Sequence, residues 1–147
     1  MEIAEVKVSY TSKVKAKDRV VIRTSADAYN AVRSLYDEDT IDYVESSHVL
    51  LLNRANQIIG KKLLSTGGTS SCIVDVKVIA QISLSTNAHA IIMTHNHPSG
   101  KISASDQDVQ ITRRVKDALD LFDIKVLDHI IVTSDNGYTS MADEGLM

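Results

Sequence analysis

Residues 90–94 (AIIMT) make a short apolar run, the pattern of a strand in a sheet covered on both faces. Two histidines, His95 and His97, stand at its end. Flanking segments offer the covering helices. Asp75 can cap a helix that buries Val76, Ile79, Ala80, Ser83 and Leu84, and a long helix is expected over residues 105–122. Ser25 offers a cap for a third, with Ala28, Val32, Leu35 and Tyr36 at helical spacing. Alternation and apolar runs predict strands over 3–10, 20–22, 48–53, 57–64, 71–74, 124–133 and 138–141. Arg54-Ala55-Asn56 reads as a hairpin connection, Gly67-Gly68 as a turn, and Asn136-Gly137 as the pair that type I′ hairpins favour. Helices mixed with a sheet that has antiparallel hairpins give an α/β or α+β domain of three layers.

Size and composition narrow the classes. A chain of 147 residues, 44% apolar, fits one compact domain spanning 1–147, with residues 1–24 an N-terminal extension of it. The longest apolar runs, 49–52 and 90–93, fall far short of the roughly 20 residues a membrane helix needs, so no membrane role is expected. The N-terminal residues lack the basic-then-apolar layout of a signal peptide. Cys72 is the single cysteine, which rules out an internal disulfide and a four-thiolate zinc site. A cytoplasmic protein is the expectation. The net charge of −3 gives nucleic-acid binding no support, because duplex affinity comes largely from Lys and Arg on phosphates. The basic stretch Lys13, Lys15, Lys17, Arg19 and Arg23 is short and reads as a solvated face.

The chemistry concentrates between residues 93 and 108. Period-two alternation points the His95 and His97 imidazoles to one face and Asn96 to the other. Pro98 stops the strand pairing, and Ser99-Gly100 turns the chain back. In the next helix Asp108 shares a stripe with Ile111, Thr112, Val115, Leu119 and Phe122, so its carboxylate faces the sheet. Such a carboxylate needs a partner or a metal. Two imidazoles and one carboxylate would give a tetrahedral zinc three ligands and leave the fourth place to water, the layout of a catalytic site. The bland reading is a helix start: Ser105-x-x-Asp108 and Ser103-x-x-Asp106 both resemble capping boxes. Ser103 and Asp106 are expected to do the capping, which would free Ser105 and Asp108.

His95, His97, Ser105 and Asp108 fit the pattern H-x-H-x7-S-x2-D, and the chain resembles the JAB/MPN/JAMM metalloproteins on that ground. The segment HNHPSG, the S-x-x-D helix start and LDHIIV at 127–132 are similar to the RadC-like branch, from about Ser25 to the C-terminus. The resemblance implies a cytidine-deaminase-like α/β/α core with a mixed sheet and one catalytic Zn2+ per chain. It also implies an upstream glutamate just before a strand of the type E-x-x-x-V-L-L-L, which here is Glu45. The implied reaction is hydrolysis of a peptide, isopeptide or related small amide. Glu45 would serve as the base toward water and Ser105 as a donor to the developing oxyanion. Relatives commonly carry Pro before the motif serine, where this chain has Ala104. Longer relatives also carry a helix-hairpin-helix region, so this chain is expected to be the short stand-alone form.

Other features have plainer readings. His48 suits a surface or cleft rim, His89 a helix end, Cys72 a small core position, and Asp128-His129 a buried pair supporting the sheet or the ligands. The motifs of zinc deaminases, H-E-x-x-H proteases, Walker loops and dinucleotide folds are absent. Two classes remain: a zinc hydrolase, or a non-catalytic metal-containing module associated with protein or DNA, in line with the DNA-repair label of the RadC family. A homo-oligomer stays open.

Overall fold

The computed structural model describes residues 1–67 and 74–147. Among them, five strands form one mixed sheet in the order β2-β1-β3-β4-β5. The strands are β1 (Ser46–Leu52), β2 (Ile58–Thr66), β3 (Ala90–Asn96), β4 (Lys125–Val132) and β5 (Tyr138–Ser140). Three α-helices accompany them: α1 (Ser25–Arg33), α2 (Val76–Ser85) and α3 (Asp106–Asp120). β3 pairs antiparallel with β1 and parallel with β4, while β1–β2 and β4–β5 are antiparallel. The crossover from β3 to β4 runs through α3, the helical route that a parallel pair requires.

Strand alternation divides the apolar residues between two cores. Leu50, Leu52, Ala90, Ile92, Ile130 and Val132 face α1, where Ala28, Val32, Tyr36 and Ile41 cover them. Val49, Leu51, Ile91, Met93 and Val126 face the other way, onto Ile79 of α2 and Val115 and Leu119 of α3. The result is the expected α/β/α layering with a mixed sheet. β3 is buried at every position, which explains why its sequence carries no polar face until its last residues. His95 continues the Met93 side, toward α3, and Asn96 continues the Ile92 side, toward α1.

Several local expectations shift. Thr24, not Ser25, caps α1, through a reciprocal box with Asp27; helix α1 ends at Arg33, so Leu35 and Tyr36 lie past it. Asp75 caps α2 as expected, but Leu84 is 48% exposed. Phe122, half exposed, lies beyond the end of α3. Residues 3–10 form no strand: Ile3, Val6 and Val8 are exposed, and the segment pairs with none of the described strands. The segment touches β2 at the Tyr10 hydroxyl, which donates to the Ile59 carbonyl. Of 20–22, Val21 alone makes a bridge, to Gln57. Asn136 takes the left-handed conformation (φ 58°) without Gly137 joining it, so a longer 133–137 loop replaces a type I′ turn. The expected Gly67-Gly68 turn, the 71–74 strand and Cys72 fall wholly or partly outside the described residues. No helix of the described residues is long and apolar enough to cross a membrane.

Leu119 is fully buried between α3 and the sheet. Leu119→Ala is expected to cost about 2–5 kcal/mol in urea unfolding, the range for an emptied core leucine. Leu84→Ala should stay within about 0.5 kcal/mol, as an exposed substitution does.

Candidate metal centre

The site lies at the carboxyl end of β3, where the parallel β3–β4 pair and the N-terminus of α3 meet, the usual ligand position in an α/β sheet. His95 is the penultimate residue of β3. His97 lies one residue past the strand, yet its N–H still donates to the Val132 carbonyl at 3.0 Å, so the strand direction is kept. The two rings therefore share a face, as alternation predicts. Their Nε2 atoms are 2.8 Å apart. After His97 the chain reverses through Gly100 at φ 79°, a conformation glycine adopts without penalty. That reversal returns the Lys101 carbonyl to 2.6 Å from His97 Nδ1. A carbonyl can only accept, so Nδ1 carries a proton there.

Asp108 completes the group from α3. Its Oδ1 is 3.2 Å from His95 Nε2 and its Oδ2 is 3.2 Å from His97 Nε2. The expected division of labour at the helix start is overturned. Ser105 is the cap, its Oγ accepting from the Asp108 N–H at 3.1 Å, and Asp108 Oδ2 accepts from the Ser105 N–H at 2.8 Å. Asp108 can do both jobs because a carboxylate has two oxygens with about four acceptor positions. The Ser105 hydroxyl spends an acceptor position on its cap, so its own proton stays available, and the residue is exposed.

Glu45 comes from the other side, immediately before β1. One carboxylate oxygen of Glu45 and one ring nitrogen each of His95 and His97 lie within 4.8 Å of one another. The segment that carries Glu45 is tied down by Asn96, from the far face of β3. Its amide donates to the Ile41 and Val44 carbonyls, each at 2.8 Å, and its oxygen accepts from the Ser46 N–H at 2.8 Å. The Gly67 N–H adds a bond to the Glu45 carbonyl. Sequence reasoning sent Asn96 to the opposite face but gave no sign of these partners, which lie about fifty residues upstream.

The electrostatics point to a cation. Burial would raise the Asp108 pKa, but hydrogen bonds from His95 and His97 overcome it and hold the carboxyl well below the usual range. Burial pulls His97 down, yet Asp108 and the Lys101 carbonyl lift it above its ordinary value. Glu45 moves up, chiefly through burial, with the histidines pulling against it. Two imidazole nitrogens and a carboxylate so close demand positive charge between them, from a proton or a metal. Ligands about 2.0–2.1 Å from a tetrahedral ion sit about 3.3 Å from each other, which the two 3.2 Å imidazole–carboxylate separations match, while the 2.8 Å between the two Nε2 atoms would have to open by about 0.5 Å. Glu45, His95 and His97 form a group that could hold a metal ion, and the Asp108 carboxylate adjoins both histidines.

The remaining histidines occupy supporting places. His129, 1% exposed, bridges His95 Nδ1 (2.7 Å) and Thr112 Oγ1 (2.6 Å), so the expected buried support is found. Asp128 does not pair with that ring. Its carboxylate accepts from Ser140 Oγ at 2.5 Å and the Ala142 N–H at 3.1 Å, closing the C-terminal turn. His48 is partly buried edge-on against Tyr36, on the α1 side. His89 sits past α2, where its N–H donates to Leu52.

Asn96→Ala would strip two buried carbonyls and one N–H of their partner. It is expected to cost about 3 kcal/mol in chemical unfolding, since each orphaned group costs about 1–3 kcal/mol. Because Asn96 faces away from the imidazoles, metal content should be unchanged in protein purified at low temperature.

The sequence model of one family, described as "RadC-like JAB domain", matches residues 22–146. A "UPF0758 protein" of Flavobacterium johnsoniae is 39% identical over 125 residues, covering 85% of this chain and 53% of its own length. Another, from Porphyromonas gingivalis, is 46% identical over 103 residues, covering 70% of this chain and 45% of its own. A third, "UPF0758 protein STH371" of Symbiobacterium thermophilum, is 39% identical over 104 residues, 71% of this chain and 44% of its own. The chain thus spans about half the length of the curated relatives it matches. With the α/β layering, the paired imidazoles and this match across most of its length, the chain belongs to the RadC-like JAB domain family.

Proposed function

We propose that the chain is a zinc-dependent hydrolase that cleaves a peptide, isopeptide or related small amide bond. One observation carries the proposal: His95, His97 and Asp108 converge within 3.2 Å of one another while Glu45, with an upward-shifted pKa, waits within 4.8 Å of the histidines. His95 Nε2, His97 Nε2 and Asp108 Oδ1 are the ligand atoms. Asp108 Oδ2 stays with the Ser105 N–H, which orients the carboxylate. Zinc in this position acidifies water and polarises the substrate carbonyl.

Everything else falls to the side chains. Glu45, a step farther than a ligand, accepts the proton of the attacking water and delivers it to the departing amine nitrogen. The Ser105 hydroxyl donates to the carbonyl oxygen as negative charge gathers there, while its own oxygen stays fixed by the Asp108 N–H. A module that only binds has no use for a proton carrier and a free hydroxyl donor placed on either side of the histidines.

The first test is metal analysis with activity. Wild type and Glu45→Gln should each hold about one zinc per chain, and His97→Ala far less. On a panel of ubiquitin-like, peptide and small amide substrates, Glu45→Gln should lower turnover about 10²–10⁴-fold. Equal zinc in all three proteins removes the ligand assignment, and zinc-loaded wild type that cleaves nothing favours a binding module.

Zinc affinity should also depend on pH in one direction. Asp108 helps hold a proton on His97, whose pKa lies above that of a free imidazole, and the ion must displace it. Below that raised pKa the apparent affinity should fall about tenfold per pH unit for one displaced proton, and above it this dependence should vanish. Competition with a chromophoric chelator across the range reads the slope.

A further inference from the structure

We infer that Thr112 and His129 are positioning residues that dictate which ring nitrogen of His95 is free to bind metal. The basis is the placement of protons along a buried chain of contacts that runs from Asp108 to His95. Thr112 Oγ1 is 2.6 Å from the Asp108 carbonyl oxygen. Two oxygens that close need a proton between them, and a carbonyl has none to give, so the threonine hydroxyl donates. The same Oγ1 is 2.6 Å from His129 Nδ1, and its single proton is already committed. His129 Nδ1 therefore carries hydrogen and donates to Thr112.

The next link follows. His129 Nε2 faces His95 Nδ1 at 2.7 Å, and one proton lies between them. A second proton on His129 would make a buried imidazolium, with no carboxylate at either ring nitrogen among the described residues. His129 Nε2 is thus bare and accepts, and His95 Nδ1 is protonated and donates, which leaves Nε2 as the His95 nitrogen that faces Asp108 and His97. The chain starts at the backbone of Asp108 and ends on a nitrogen facing that residue's carboxylate. It locks helix α3, strand β4 and strand β3 into one register around the site.

The consequence for metal rests on the zinc reading above, but the proton placement does not. Metal-stripped, ¹⁵N-labelled wild type at about pH 8, where free histidines are neutral, should show His129 and His95 both protonated on Nδ1 in long-range ¹H–¹⁵N spectra. Thr112→Val keeps the shape and loses the hydroxyl. It should disturb the His95 tautomer and weaken zinc binding about 10–100-fold in a chelator competition, while Thr112→Ser restores both. A bare His95 Nδ1 in the wild type overturns the inference, as does a Thr112→Val protein with wild-type tautomers and zinc affinity. If Thr112→Val does not fold, the wild-type and Thr112→Ser spectra decide. Wild type with the expected tautomers but no zinc uptake overturns the metal reading and supports the proton chain.

Discussion

β3 must bury side chains on both faces at once, and the remaining elements arrange themselves around that requirement. Its even and odd positions fill separate cores, so α1 has to lie on one side and α2 and α3 on the other. Polar residues enter the strand only at its end, where they inherit the same alternation. His95 points into the angle between the sheet and α3, and Asn96 points beneath it. The site is thus the place where a fully apolar strand runs out of core to fill.

That geometry gives each face of the strand end its own task. On the α3 side, imidazoles and the Asp108 carboxylate crowd together and need a positive charge to coexist. On the α1 side, Asn96 takes three hydrogen bonds that hold the residues leading into β1. Glu45 reaches the histidines because the residue between them anchors the backbone that carries it. One tripeptide, His95-Asn96-His97, thereby sets both the ligand nitrogens and the approach of the second carboxylate.

The site was more legible in the sequence than its supports. His95, His97 and Asp108 are close in the chain, so strand and helix periodicity suffice to bring them together. Glu45 is fifty residues away from His95; its place came from family resemblance, since alternation alone could not choose it among other carboxylates. At the helix start the pattern S-x-x-D does not tell a cap from a site, and here it is both, because a carboxylate with two oxygens serves the Ser105 amide and the imidazoles together. The tract 3–10 alternates like a strand but pairs with none of the described strands, and alternation does not by itself make a ladder. The contacts of Asn96, Thr112 and His129 span up to 55 residues and leave no local pattern to read.

Asp108 Oδ2 is shared between the Ser105 amide and the His97 imidazole. The winding of the first turn of α3 and the placement of the His97 ring therefore answer to a single atom. Whatever holds the carboxylate against the imidazoles also holds that oxygen on the amide, and a frayed helix start would swing the carboxylate away. Occupancy of the centre and order in the 101–108 loop then rise and fall together, a coupling that requires no movement elsewhere in the domain.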